Sequence, residues 1–271
     1  MSLPICRACG SEDLLIRSAT CQVESHLHGK HADFIICRHC RFISNPGNHH
    51  DFREDSGFEA GTNLTSNSAR VGDGETPGRE FLMAEMGLNI LRRKGNRASD
   101  VLVFGAGMSR DHQLIARRFP VSRVAVSDLD NFQSAPDFVA MGSREPEFDL
   151  VIASEVIEHF TDDLLEDFSN LLSKVRDGGL VIAGTHVHNG RPPLERVAYP
   201  FEVGHTSYYS GRSLQCICER RGDGTRLDFR TPAMSFRGAS SRKRYIFFYR
   251  DLEVGDCIAQ YFADHHVAPS E

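Results

Sequence analysis

The 271 residues carry 37 acidic and 31 basic side chains, a net charge of −6, so the chain as a whole has no attraction for nucleic acid or an anionic membrane surface. Apolar content is an ordinary 40%, and the longest apolar runs are far too short to cross a bilayer. The first residues show no basic region followed by an apolar core; a cytoplasmic chain is expected, and its eight cysteines read as reduced thiols or metal ligands, not disulfides.

Residues 1–46 hold two C-x2-C pairs, Cys6 with Cys9 and Cys37 with Cys40. Each pair chelates locally through a tight turn, and together they can set four thiolates around one zinc ion with short strands between. A segment this small buries little core of its own, so metal would supply its folding energy. Cys21, His26, His28, His31 and His39 are competing ligands, but the spacing favours the four knuckle cysteines. A closed set of four thiolates leaves no position for a reacting water, which predicts a structural module remote from chemistry. Residues 47–78 are polar and irregular and read as a linker or a lid loop, with His49 and His50 solvated. Asn63-Leu64-Thr65 matches a glycosylation acceptor, a pattern without meaning in a chain that is not secreted. After Pro77-Gly78 the apolar residues Phe81, Leu82, Met86, Leu88, Ile90 and Leu91 predict a helix ending in Arg92, Arg93 and Lys94. Gly87 interrupts it and suggests two helical pieces.

The stretch that organises the chain is Val101 to Asp111, VLVFGAGMSRD. An apolar run entering Gly105-Ala106-Gly107, followed by helical spacing at Leu114, Ile115 and Phe119, predicts strand, tight turn and helix. Glycine there lets the backbone lie against a ligand. A second apolar run ends at Asp128, about 20 residues further on, where a carboxylate at a strand tip can accept ribose hydroxyls. A third, Phe148 to Ala153, leads into Ser154-Glu155-Val156-Ile157-Glu158-His159.

These residues together resemble the class I S-adenosylmethionine-dependent methyltransferases, through the glycine loop FGAGMS, Asp128 and the E-V-x-E-H signature at Glu155 to His159. The resemblance covers roughly residues 79–250. It implies an α/β fold, a Rossmann-like seven-stranded methyltransferase sheet over 79–253 closed by an antiparallel hairpin, beside the small N-terminal zinc ribbon. It implies S-adenosylmethionine as cofactor, held by Gly105, Ala106, Gly107, Asp128, Leu129 and Glu155. One position departs: Val103 stands where the family often has an acid.

Further along, Leu164 to Val175 repeats at helical intervals, Leu180 to Thr185 is a buried strand, Ser210 caps a helix that Gly222 ends, and Leu227 to Phe229 with Tyr245 to Tyr249 form the last strands. The loop between those strands carries Arg237, Arg242, Lys243 and Arg244. Cys216, Cys218 and Cys257 read as small buried hydrophobes, and the tail from 254 to 271 as one short helix with a solvated His265-His266 pair. Two segments leave strands on the ligand side: Ser154 to His159, and the insertion Thr185 to Tyr209. Methyl transfer aligns an acceptor and can require removal of one proton. His159, His205 and Tyr208 are therefore the candidate catalytic residues. Three functions are in play: a methyltransferase of a small molecule such as a sugar or natural-product intermediate, an RNA methyltransferase gripping nucleic acid with the ribbon, and a non-catalytic scaffold of methyltransferase-like fold. The acidic charge argues against nucleic acid. The acceptor, the atom methylated and the oligomeric state stay open.

Overall fold

The computed structural model describes residues 5–51, 72–96, 99–144, 147–161, 163–230 and 243–264; residues 63–65, Arg237, Arg242, His265 and His266 lie outside them. In chain order the elements are β1 (Leu14–Thr20), β2 (His31–Cys37), β3 (Ile43–Ser44), α1 (Arg79–Arg93), β4 (Asp100–Phe104), α2 (Asp111–Arg118), β5 (Arg123–Ser127), β6 (Phe148–Ser154), α3 (Leu164–Ser173), β7 (Val175–His188), β8 (Ser207–Ser210), α4 (Gly211–Arg221), β9 (Arg226–Arg230), β10 (Lys243–Tyr249) and α5 (Leu252–Asp264).

The central sheet runs β5-β4-β6-β7-β10-β9. Its first four strands are parallel, and β10 is antiparallel to both neighbours. Outside β5 a single parallel bridge, Val126 to Phe138, occupies the seventh position. The parallel strands are apolar on both faces because both are covered by helices. Within β4, Val101 and Val103 pack with α1, α2 and α5, whereas Leu102 and Phe104 pack with α3 and α4. The same alternation of period two separates Leu150 and Ile152 from Val151 and Ala153 in β6.

Helix α1 is one continuous helix through Gly87. A Cβ at that position would lie 2.6 Å from Leu150 Cδ1, so glycine serves close approach of helix to sheet, not a break. Gly78, at the helix start, offers no side-chain cap. The buried carboxylate of Asp111 supplies one from α2, accepting from the N–H groups of Gly78 at 3.0 Å and Phe81 at 2.9 Å. In α4 the expected cap is present: the Ser210 hydroxyl accepts from Ser213 N at 3.0 Å, and Gly222 closes the helix at φ +67°.

The cysteine-bearing segment belongs to the same sheet. β1 and β2 form an antiparallel hairpin, β3 pairs with β2, and β3 joins β8 through Ile43–Tyr208 and Ser44–Ser207. β8 runs parallel to the end of β7 through Val187–Tyr209. Phe34 and Phe201 meet edge to face at 5.2 Å in a small core between the hairpin and the insertion. No helix among the described residues is long and apolar enough to cross a membrane.

Candidate functional site

The two C-x2-C turns bring Cys6, Cys9, Cys37 and Cys40 together, with every sulfur within 4.8 Å of the others. Cys6 Sγ lies 3.6 Å from Cys40 Sγ, and Cys9 Sγ 3.5 Å from Cys37 Sγ. A tetrahedron with metal–sulfur bonds of about 2.3 Å has edges of about 3.8 Å, so the donor set suits a zinc ion. Crowding divides the protons unequally among the thiols: a hydrogen bond with Cys40 draws Cys6 down to about 5, while the same contact drives Cys40 far up. The ribbon is not remote from the cleft described next. Arg7, in the first knuckle, donates to the carbonyls of Thr161 and, at 3.0 Å, Thr206, and Ser210 Oγ donates to the Cys40 carbonyl at 2.6 Å.

A cleft of about 380 Å³ opens at the carboxyl ends of β4, β5 and β6. Gly105 and Gly107 form its floor at φ +68° and +54°. A Cβ on Gly105 would sit 2.5 Å from Val156 Cγ2, so no other residue fits there. At the tip of β5 the buried carboxylate of Asp128 accepts from Gly107 N at 2.6 Å and Leu129 N at 2.7 Å, while burial raises its pKa. Leu129, Phe132 and Met141 provide apolar wall. Gln133 donates to the carbonyls of Gly107 and Ser109, each at 2.7 Å, and so fixes the loop. Ala106 instead points into the helix-side core. Glu155 lines the cleft and takes φ +55°, a strained conformation outside glycine, held by its N–H donating to Gly184 O at 2.8 Å.

Where β6 ends, the chain makes a single 3-10 turn, Ile157–His159. It turns Glu158 inward and His159 onto the cleft. The Glu158 carboxylate is fully buried and accepts from the Tyr199 hydroxyl at 2.5 Å. His159 Nδ1 meets the Gly204 carbonyl at 3.0 Å, and His205 Nδ1 meets the Tyr199 carbonyl at 2.7 Å. A carbonyl only accepts, so each Nδ1 carries the proton and each Nε2 keeps a lone pair. Burial lowers both pKa values, that of His205 to about 3. The two rings meet at 4.9 Å, and His186 stacks on Tyr199 at 4.0 Å. Glu158, His159 and His205 offer three ligand atoms within 4.8 Å of one another, a set able to hold a cation.

Of the residues singled out in the sequence, Gly105, Gly107, Asp128, Leu129, Glu155 and His159 line the cleft, with His205 against His159. Tyr208 does not: its ring lies outside the cleft, packed on His188 at 4.6 Å and on Tyr199 at 5.6 Å. His49, which is exposed as expected, and the half-buried His50 also line the cleft, together with Asp51. Tyr199, Gln133, Phe132 and Met141 escaped the sequence reading. Only Tyr199 left a trace there, as a tyrosine inside the insertion that carries His205.

A parallel sheet with a glycine turn, a strand-tip acid and a cleft beyond its carboxyl edge is the architecture of an S-adenosylmethionine-dependent methyltransferase. The family model described as "Methyltransferase domain" matches residues 79–222, just over half of the chain, and the chain belongs to that family. No curated protein matches the sequence significantly. Among solved structures, the plantazolicin methyltransferase BpumL in complex with a triazolic desmethylPZN analog and SAH is similar at 12% identity, covering 72% of this chain and 93% of that one with a TM-score of 0.52. An O-methyltransferase family protein from Burkholderia thailandensis is similar at 13% identity, 63% and 55% coverage and a TM-score of 0.47. The glycopeptide N-methyltransferase MtfA complexed with sinefungin follows at 15% identity, 64% and 95% coverage and a TM-score of 0.44. At these identities the likeness is one of fold.

Proposed function

We propose that the chain methylates a small-molecule acceptor at the mouth of this cleft, with the cofactor lying across Gly105–Gly107 and Asp128. When bound, S-adenosylmethionine supplies an electrophilic methyl group. The residues suit it: Gly105 and Gly107 leave their backbone open to a ligand, Asp128 is an acceptor for ribose hydroxyls, and Leu129, Phe132 and Met141 offer apolar surface for a flat base. Val103 supplies no acid for the amino-acid end of the cofactor.

The carrying observation is the pair of Nε2 lone pairs on His159 and His205 beside a buried carboxylate. His159, which lines the cleft, is the nitrogen placed to take the proton of an acceptor O–H or N–H as its bond to the methyl carbon replaces the carbon–sulfur bond, and His205, packed on its ring, positions it. A second reading has observational support: Glu158, His159 and His205 hold a divalent cation that orients acceptor oxygens. The cleft carries Asp51, Glu155 and Asp167 and no lysine or arginine among its described lining residues, which supports a small acceptor over a polyanion. Cys6, Cys9, Cys37 and Cys40 would hold a zinc ion, which would brace the hairpin that β3 joins to β8.

The test uses methyl-labelled cofactor and a cell extract split by size. Label is expected in the small-molecule fraction; label in RNA would overturn the small acceptor, and cofactor binding with transfer to neither would favour a scaffold. His205→Ala is expected to lower turnover by about 100-fold at unchanged cofactor affinity. A turnover that rises in proportion to added Mg2+ or Mn2+ would assign the cluster to the cation.

A further inference from the structure

We propose that a second cleft, between the cysteine hairpin and residues 189–197, binds a small molecule that carries an oxyanion on an apolar body. The cleft encloses about 320 Å³ and shares no lining residue with the methyl-transfer cleft. The inference does not rest on the methyl-transfer reading.

Three arginines converge on it, Arg17, Arg38 and Arg41, in a chain whose net charge is −6. Arg17 is engaged by Glu195 at 2.5 Å, and Arg38 leans on Asp13 at 3.8 Å. Arg41 has no carboxylate partner among the described residues. Its guanidinium lies against Gly190, where a Cβ would come within 3.0 Å of Nη1, and Gly190 sits at φ +86°. The positive φ favours glycine there.

His188 forms the wall beside it and is 7% exposed. Its Nδ1 accepts from Gly190 N at 3.2 Å, so the ring proton is on Nε2. That buried N–H makes no hydrogen bond. The carbonyls of Arg41 and Tyr208 lie near the ring, but neither meets Nε2 in hydrogen-bonding geometry. A buried donor left unmet is costly. One oxygen of a phosphate or carboxylate satisfies it while another meets Arg41, a charge-assisted pair of contacts. The rest of the wall is mainly apolar, with Ile43, Pro192, Leu194 and Val197, and suits the body that carries the anion; Tyr208 and the zinc-ligand candidate Cys37 complete it. Lysine or arginine alone would make a surface patch; the orphaned imidazole donor and the apolar wall make a pocket with one orientation for its ligand.

The test titrates phenyl phosphate, inorganic phosphate and benzoate into the full-length chain, read by calorimetry. At least one aromatic probe is expected to saturate more tightly than inorganic phosphate, and affinity is expected to fall about tenfold in both Arg41→Gln and His188→Phe. Preference for phenyl phosphate assigns a phosphate ligand, and preference for benzoate a carboxylate; each supports the site. Arg41 is exposed, so Arg41→Gln keeps the fold and should bind S-adenosylhomocysteine as the unaltered chain does. No saturation by any probe up to about 10 mM, or unchanged affinity in Arg41→Gln, overturns the proposal. Loss of S-adenosylhomocysteine binding alone would count against the methyl-transfer reading and leave this site standing.

Discussion

The Tyr199 hydroxyl donates to the buried carboxylate of Glu158 at 2.5 Å while sharing a 2.6 Å hydrogen bond with Thr185 Oγ1. The Tyr199 carbonyl, on the same residue, holds His205 by Nδ1. One tyrosine from the insertion therefore sets both the acid and one imidazole of the cluster. Tyr199→Phe removes a donor from a fully buried acceptor and should cost about 1–3 kcal/mol of stability. Because Asp128 and the glycine loop are untouched, turnover should fall further than affinity for S-adenosylhomocysteine. Thermal unfolding and calorimetry on the same preparation check this; a variant with native turnover and native Tm would reduce Tyr199 to packing.

Asp128 anchors the other end of the cleft. Its carboxylate meets two backbone N–H groups, which fix the lone pairs left for a ribose. Asp128→Ala removes a charge-assisted pair of hydrogen bonds and should weaken S-adenosylhomocysteine by about 2–3 kcal/mol. Unchanged affinity by calorimetry would remove Asp128 from the cofactor site.

The parallel strands, the glycine turn and Asp128 were legible because each is a local pattern with a local cause: apolar runs buried on two faces, positive φ, an acid at a strand tip. Helix α4 was legible from its Ser210 and Gly222 caps. The break expected at Gly87 did not occur, because glycine there answers to Leu150 across the helix–sheet interface, which no window of sequence contains. The side of β8 on which Tyr208 lies was equally hidden. Period two sends Tyr208 and Tyr209 to opposite faces, but a four-residue strand inside a loop-like insertion gives no periodicity to read. The union of the cysteine hairpin with the central sheet depends on two residue pairs, Ile43–Tyr208 and Ser44–Ser207, which lie far apart in the chain.

His188 gives the protein an acid-sensitive element. Burial pushes its pKa down to about 4, with the Arg41 cation adding to the effect and the Tyr208 ring packed on the imidazole. The folded value lies below the unfolded value of about 6.5. Between the two the unfolded chain binds more protons, so stability is complete above about pH 6.5 and falls as pH drops toward 4, by on the order of 3 kcal/mol from this group. His188→Asn keeps an acceptor for Gly190 N and removes the titration. Urea unfolding from pH 7 to pH 4.5 should therefore decline less steeply in that variant, and parallel slopes would show that His188 is protonated freely in the folded state.

The last expectation concerns the four cysteines. Sulfur separations of 3.5 and 3.6 Å suit one zinc ion per chain, and without a metal four thiols packed this closely repel as they ionise. Cys37→Ser removes one ligand and should bring zinc, measured by elemental analysis, well below one per chain. The effect should not stop at the hairpin. β3 is zipped to β8, and Arg7 reaches the carbonyls of Thr161 and Thr206, which lie two residues beyond His159 and one beyond His205. Loosening the hairpin therefore frees the segments that carry both imidazoles. The glycine loop, Asp128 and Gln133 belong to β4, β5 and the turns that follow them, and keep their own core. Turnover in Cys37→Ser should fall about tenfold or more while S-adenosylhomocysteine affinity changes by less than about threefold, since misplacing a catalytic group by a fraction of an ångström costs rate before it costs binding. Equal loss of both would mean that the hairpin supports the whole cleft, and full retention of turnover with no zinc present would separate the cysteine cluster from the chemistry altogether.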